Sequence, residues 1–192
     1  MFFFFVKDHR EKYRYFCTKP LREIQVKFSR WKKIWEKAKK KLMLLPQRIL
    51  AQEQAFEHVL KLEAKTLVVL HSGRCTDQKI KIRFFFFLQR QRTKHVFLLI
   101  AETLLLPISG LAALLPGPNV FFGVLALLMF THWQSLRGIN RLLKKDHDFR
   151  SSQELNEWEE AIKTRQENAY PQILKRIAEE YKVENIHKIL WS

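Results

Sequence analysis

Three ionisable side chains lie in or next to the most apolar stretch of the chain, where they could take up and release protons. Glu102 is the only Asp, Glu, Lys or Arg between residues 96 and 136, His132 lies near the end of that stretch, and His95 directly precedes it. A carboxylate in an apolar segment is a candidate for a proton or cation relay, and an imidazole exchanges protons near neutral pH. Other interpretations are open: both Glu102 and His132 could reach a polar interface, and Glu102 could hydrogen-bond a neighbouring helix.

The apolar stretch stands out because the rest of the chain is strongly basic. The 192 residues contain 35 Lys and Arg against 19 Asp and Glu, a formal net charge of +16. Residues 1–50 contribute +11 and residues 51–95 contribute +5, whereas residues 96–136 contain no Lys or Arg and residues 137–192 are nearly balanced. This surplus predicts an anionic partner. Its position beside an apolar segment favours acidic lipid and argues against nucleic acid.

Two apolar runs predict a helical hairpin over residues 96–136. As α-helices, Val96–Leu115 would span about 30 Å and Pro118–Leu136 about 28 Å, close to the thickness of a membrane's hydrocarbon core. Trp133 falls near the end of the second run, where an interfacial indole is expected. The runs are separated by a turn sequence, Pro116-Gly117-Pro118-Asn119. The pattern predicts a transmembrane hairpin, with a re-entrant loop or a hairpin buried in a soluble core as alternatives.

Basic residues on both sides of the hairpin predict its orientation. Basic flanks stay on the inner side of a membrane, so both chain termini are predicted on the cytoplasmic or matrix side. The uncharged turn is then free to cross. The basic side chains that we expect to face lipid headgroups are Arg90, Arg92, Lys94, Arg137 and Arg141.

The N-terminal segment, residues 1–64, is predicted to be a basic helical arm. Nine basic residues lie between Arg22 and Lys41. One apolar stripe recurs at spacings of three and four, formed by Leu21, Ile24, Phe28, Trp31, Trp35, Ala38, Leu42 and Leu45. Aromatic residues on one helix face and lysines on the others fit an anionic membrane surface. We therefore expect the arm to pack against the following helix while its basic face is attracted to such a surface, with binding of RNA as the alternative.

The remaining segments predict a small β element and a helical end. Residues Lys65–His71 have the composition of a strand, so residues 65–95 are predicted as a short strand and a basic connector. Residues 137–192 are predicted as soluble amphipathic helices. The predicted fold class is a mostly α membrane protein. It comprises a helical transmembrane or re-entrant hairpin, flanking amphipathic helices, and a minor β element near residues 65–87.

The sequence contains no motif of a known catalytic site. Glycine-rich phosphate-binding motifs, the GxSxG motif and the HExxH motif are all missing. His71 and Cys75 form a single HxxxC pair, whereas a structural zinc site needs four ligands. We therefore predict no enzyme, no catalytic residues, no cofactor and no metal site.

Four short motifs around the apolar stretch occur in a characteristic order. His95 precedes the first apolar run, Pro107 breaks it, a Pro-Asn-aromatic turn covers residues 116–122, and His132-Trp133 precedes a stretch of small residues. In this order the chain resembles the mitochondrial K+/H+ exchange-related family. The resemblance marks a set of residues as structural parts of the motif, namely Pro107, Pro116, Gly117, Pro118, Asn119 and Trp133.

The resemblance implies a membrane protein involved in potassium–proton exchange, either as a subunit of an antiporter or as its regulator. Two spans cannot enclose an ion pathway, so we expect a homo-oligomer or other membrane subunits as partners, with K+ and H+ as the ions. The alternative is a non-transporting, membrane-anchored scaffold whose basic arm binds anionic lipid or RNA. The expected location is the mitochondrial inner membrane or, because no transit peptide is recognisable, a bacterial cytoplasmic membrane.

Overall fold

A four-stranded sheet lies between two groups of helices in the computed structural model, which describes residues 2–18, 47–62, 66–112 and 120–191. The strands are β1 (Phe3–Lys7), β2 (Tyr13–Cys17), β3 (Thr66–His71) and β4 (Asp146–Ser151). The helices are α1 (Gln47–Lys61), α2 (Asp77–Ala112), α3 (Val120–Lys144), α4 (Gln153–Lys163), α5 (Tyr170–Tyr181) and α6 (Ile186–Leu190).

The strand order in the sheet is β2-β1-β3-β4. β1 pairs with β2 antiparallel and with β3 parallel, and β3 pairs with β4 parallel. The turn between β1 and β2 is held by the Asp8 carboxylate, which accepts the backbone N–H groups of Arg10 and Lys12 at 2.9 Å. The same carboxylate forms an ion pair with Arg14 at 2.6 Å. Asp is favoured in turns because its side chain bonds the local backbone in this way.

The run of phenylalanines at the N-terminus forms β1, which is buried on both faces. Phe3 and Phe5 pack against α1, α2 and α3, whereas Phe4 and Val6 pack against α4, α5 and α6. Side chains alternate between the two faces of a strand. A strand covered on both faces therefore reads as one continuous apolar run.

The two long helices α2 and α3 pack side by side and together connect the parallel neighbours β3 and β4. Parallel strands require a long crossover of this kind. The first half of α2 and the second half of α3 cover one face of the sheet through Phe84, Leu88, Ile139 and Leu142. α1 lies close to α3 at Gly138, where an added Cβ would lie 2.7 Å from the carbonyl carbon of Phe56.

The three C-terminal helices cover the other face of the sheet. Ser152 caps α4, its hydroxyl accepting the backbone N–H of Leu155. Trp158 is fully buried and donates its indole N–H to the Lys7 carbonyl at 2.8 Å. The backbone N–H of His9 donates to the Leu190 carbonyl at 2.9 Å, so the last helix is hydrogen-bonded to the N-terminal part of the chain.

The predicted fold class is wrong. The protein has a mixed α/β architecture with a four-stranded sheet, and none of the helices in the described ranges combines the length and apolarity of a membrane span. Each apolar run is one end of a longer helix whose charged opposite end covers the sheet, since Phe84, Leu88, Ile139 and Leu142 all lie outside residues 96–136. Within that range the apolar side chains are divided between contact with the neighbouring helix and the exposed surface. The prediction that both termini lie on the inner side of a membrane assumed a hairpin that spans it, and the described helices do not support that assumption.

The sequence predicted the secondary structure of some segments correctly and of others wrongly. The strand predicted at residues 65–71 is confirmed as β3, and residues 79–87 belong to α2, where Ile80, Phe84 and Leu88 face the sheet one turn apart. β1 and β2 occupy the beginning of the segment predicted as a helical arm. The apolar stripe of the arm and the turn at residues 116–119 lie outside the described residues, whereas Pro107 is an exposed residue within α2.

Candidate functional site

A cluster of polar side chains is buried where α1, α2 and α3 meet. α1 contributes one residue, α2 contributes two residues seven positions apart on the same face, and α3 contributes two residues one turn apart. These residues are Glu53, His95, Glu102, His132 and Ser135. Four of the five residues are buried, and His132 is partly buried, with its side chain 12% exposed. We call this set the buried polar cluster.

Glu102 and His132 form a close pair between the two long helices. The Oε1 atom of Glu102 lies 2.7 Å from Nδ1 of His132, which is within the range of a charge-assisted hydrogen bond. The second carboxylate oxygen, Oε2, is buried and has no hydrogen-bond partner among the described residues. Of the alternatives for Glu102, the structure thus shows the contact with a neighbouring helix.

His95 and Glu53 form the second part of the cluster. His95 is fully buried, and its Nε2 atom lies 3.4 Å from Oε1 of Glu53. The two groups would form an ion pair only if His95 were protonated, and neither ring nitrogen of His95 has an aligned hydrogen-bond partner among the described residues. The hydroxyl of Ser135 donates to the other carboxylate oxygen of Glu53. The rings of His95 and His132 are 5.5 Å apart, which joins the two parts.

Burial changes the proton affinities of the two α2 residues in opposite directions. Burial, reinforced by the nearby charge of Lys94, lowers the pKa of His95 to about 4, so this imidazole is neutral at physiological pH. Burial raises the pKa of Glu102 to about 7, since its charged form loses hydration. A carboxyl group with this pKa changes its charge near neutral pH.

Two of the five side chains in the buried polar cluster, Glu102 and His132, are in direct contact and are of types that exchange protons. No three His, Cys, Asp or Glu side chains in the described part of the chain are placed to share a metal ion. The carboxyl group of Glu102, which changes its charge near neutral pH, is in contact with an imidazole, a side chain that can donate or accept a proton.

The basic residues predicted to face lipid lie in two different settings. Arg90, Arg92 and Lys94 are exposed along α2, and Arg137 is exposed on α3 with its guanidinium 4.8 Å from the ring of Trp133. Arg141 points inward instead. Its guanidinium donates to the carbonyl groups at the end of α1, namely those of Leu60 and Leu62, at 2.8 and 2.9 Å.

Two members of the buried polar cluster were not predicted from the sequence. Glu53 lies on the buried face of α1 together with Ala55 and Phe56. An acidic residue one turn before a buried aromatic was a detectable signal, because such a carboxylate needs a partner. Ser135 gave no signal of its own, since a serine in a helix ordinarily bonds its own backbone.

The family model described as mitochondrial K+-H+ exchange-related matches residues 7–145. The chain belongs to this family. The match confirms the resemblance seen in the sequence, and the matched region contains every residue of the buried polar cluster. Family membership relates the protein to potassium–proton exchange and to mitochondria. Comparison with curated proteins and with solved structures gives no match.

Proposed function

We propose that this protein acts in mitochondrial potassium–proton exchange as a proton-responsive subunit or regulator of an antiporter at the inner membrane. The family supports the process, and the pair of Glu102 and His132 supports the proton-responsive role. The proposal requires a partner that forms the ion pathway. That partner consists of other membrane subunits, or of further copies of this chain.

The contact between Glu102 and His132 carries the proposal. At low pH the protonated carboxyl group donates its hydrogen to Nδ1 of a neutral imidazole. At higher pH the carboxylate accepts a hydrogen from Nδ1–H. Each state keeps the hydrogen bond between Glu102 and His132, so the carboxylate that proton loss creates retains a hydrogen-bond donor, which lowers the cost of burying its charge.

The other titratable groups around the pair connect its protonation to the contacts between the helices. His95 faces the pair from α2 and stays neutral at physiological pH, while Glu53 faces His95 from α1. A change of charge on the pair acts on both groups at short range, because the dielectric constant is low between packed helices. Proton uptake therefore alters the balance of contacts that holds α1 against α2 and α3.

The test uses mitochondria from cells that lack this chain and re-express the wild type or Glu102→Gln. The rate of matrix alkalinisation after addition of a potassium salt is measured between about pH 6 and 8, the interval in which the pair titrates. The wild type should restore a rate that changes with pH, and Glu102→Gln should restore a rate that does not. Glu180→Gln, an exposed change in α5, is the matched control. An identical pH profile for Glu102→Gln and the wild type would refute the proposal.

A second variant tests whether the two residues act as one unit. His132→Gln should flatten the pH profile as Glu102→Gln does. The double variant should then be no worse than either single variant, since residues in one hydrogen-bonded pair are not additive. Independent, additive losses would show that the two side chains act separately and would contradict the proposed pair.

A further inference from the structure

The outer face of α2 is apolar and exposed along most of the helix. Its large side chains, between 54% and 71% exposed, are Ile82, Phe86, Phe97, Ile100 and Leu104. With 3.6 residues per turn these positions lie on one side of the helix, and Gln89 and Thr93 complete the stripe between them. We call this set the outer stripe. Several large apolar side chains exposed side by side indicate an interaction site.

Basic residues border the outer stripe on both sides. Lys81 and Arg92 lie along one border, and Arg90 and Lys94 lie along the other. All four are exposed, and none has an acidic partner within 4 Å among the described residues. Glu102 is the only acidic residue between positions 78 and 112, and it is buried on the opposite face. The exposed surface of α2 beyond its first turn is therefore apolar and cationic.

The second half of α2 places polar groups inside and apolar groups outside. His95 and Glu102 face the other helices, while Phe97, Ile100 and Leu104 face outward. α3 shows a related surface, with exposed Phe130, Trp133 and Arg137 on one side of the helix. Apolar residues ordinarily point into a protein, so this inversion indicates that an apolar medium or partner covers the outer face.

We infer that the outer stripe of α2 docks on the surface of an anionic lipid bilayer, with the helix lying along that surface. The apolar side chains enter the boundary between headgroups and acyl chains, while the bordering Lys and Arg side chains reach lipid phosphates. This inference is independent of the proton chemistry of the buried polar cluster. It assigns a lipid contact to an exposed face of a helix that also packs on a sheet.

Charge complementarity selects the bilayer over the two other occupants of this face. The chain's own segment at residues 22–41 carries nine basic residues. Its docking on the outer stripe would bring two cationic surfaces together. A second copy of the chain would do the same, because each copy presents basic borders. An anionic bilayer instead neutralises these charges, and each Lys or Arg near such a surface strengthens binding.

Co-sedimentation of the full chain with lipid vesicles tests the inference. The chain should bind phosphatidylcholine vesicles that contain about one quarter phosphatidylglycerol, should bind pure phosphatidylcholine poorly, and should be released by salt. The double variant Phe86→Ser/Phe97→Ser should weaken binding at least about tenfold through lost apolar contact. Arg90→Gln and Lys94→Gln should each weaken it about fivefold. Trp191→Ser and Lys175→Gln, exposed changes elsewhere, are the matched controls.

A gain of binding is a sharper readout, because misfolding does not produce it. Gln89→Leu adds an apolar side chain to the outer stripe and should strengthen vesicle binding about threefold. Gln172→Leu, at an exposed position of α5, should leave vesicle binding unchanged. Unchanged binding of Phe86→Ser/Phe97→Ser would overturn the inference. So would sedimentation equilibrium showing a dimer that this double variant dissociates, since the stripe would then join two copies. Glu102→Gln should bind vesicles normally, so this test and the exchange assay fail independently.

Discussion

Glu102 and His132 are thirty positions apart, and the fold brings them to 2.7 Å. Each is an ionisable residue in an apolar stretch, and their contact is what allows a proton to be shared between them. Burial raises the pKa of Glu102 to about 7, and the imidazole of His132 is a hydrogen-bond partner that can donate or accept a proton. His95 lies beside the pair without competing for its proton at neutral pH, since burial lowers the pKa of His95 to about 4.

Substitution of Glu102 by Gln should change how stability depends on pH. Between the ordinary pKa of 4.5 and the folded value of about 7, the unfolded chain has released this proton and the folded chain still holds it. The contribution of Glu102 to stability therefore falls as the pH rises through that interval and is level above it. The free energy of unfolding of Glu102→Gln relative to the wild type should rise with pH by on the order of 3 kcal/mol.

Chemical denaturation at a series of pH values measures this difference. Subtracting the wild type cancels the opposite slopes expected from His95 and His147, whose pKa values are both lowered to about 4. Glu180→Gln should give a difference that does not change with pH. A constant difference for Glu102→Gln would show that the carboxyl group titrates as it does in the unfolded chain.

At the level of elements, the two faces of α2 differ in their surroundings: one contacts the rest of the protein and the other is exposed. The inner face packs on the sheet with its first half and encloses the buried polar cluster with its second half. The cluster also requires α1, which supplies Glu53. α1 reaches it because Gly138 of α3 leaves room for the backbone of Phe56.

Gly138→Ala should therefore destabilise the protein. Helix propensity alone predicts a gain of about 1 kcal/mol. The added methyl group would overlap the Phe56 carbonyl, and overpacking against backbone costs about 1–3 kcal/mol, so we expect a net loss. Equilibrium unfolding in denaturant decides the sign. Asn140→Ala, a half-buried change in the same helix, should have a small effect, and a more stable Gly138→Ala would contradict the close contact.

The whole molecule is held together by contacts between its two ends. β1 lies in the middle of both cores, and the C-terminal helices bond to it and to the turn that follows it through Trp158 and Leu190. The family match ends at residue 145, yet the residues beyond it complete one face of the sheet. They contribute β4, an edge strand with charged side chains, and three helices.

Leu190→Ala should destabilise the N-terminal strand as well as the last helix. Leu190 is fully buried, and truncation of such a side chain costs about 2–5 kcal/mol. Hydrogen exchange should show faster exchange of β1 and α4 amides to a similar degree, because one core joins them. Lys188→Ala, exposed in the same helix, serves as the control. Faster exchange confined to α6 would mean that the C-terminus unfolds on its own.

The sequence predicted individual residues and helices better than it predicted their arrangement. Glu102 and His132 stood out because they are ionisable residues in apolar surroundings, and β3 stood out by composition. Their pairing depends on how α2 and α3 align, which cannot be predicted from the pattern of neighbouring residues in the sequence. β4 was missed because an edge strand with the sequence DHDFRS reads as a polar loop. The parallel sheet was missed because its partners are far apart along the chain.

The order of the strands constrains how the chain reaches its native state. β1 closes quickly onto β2 across a short turn, but its other neighbour is β3, more than fifty residues later in the sequence. Contacts over such separations form slowly. During that delay the hairpin presents a phenylalanine-rich edge with unpaired backbone groups, the feature that recruits other chains into aggregates. A chain that emerges N-terminus first therefore leaves this edge of β1 unpaired until residues 66–71 arrive.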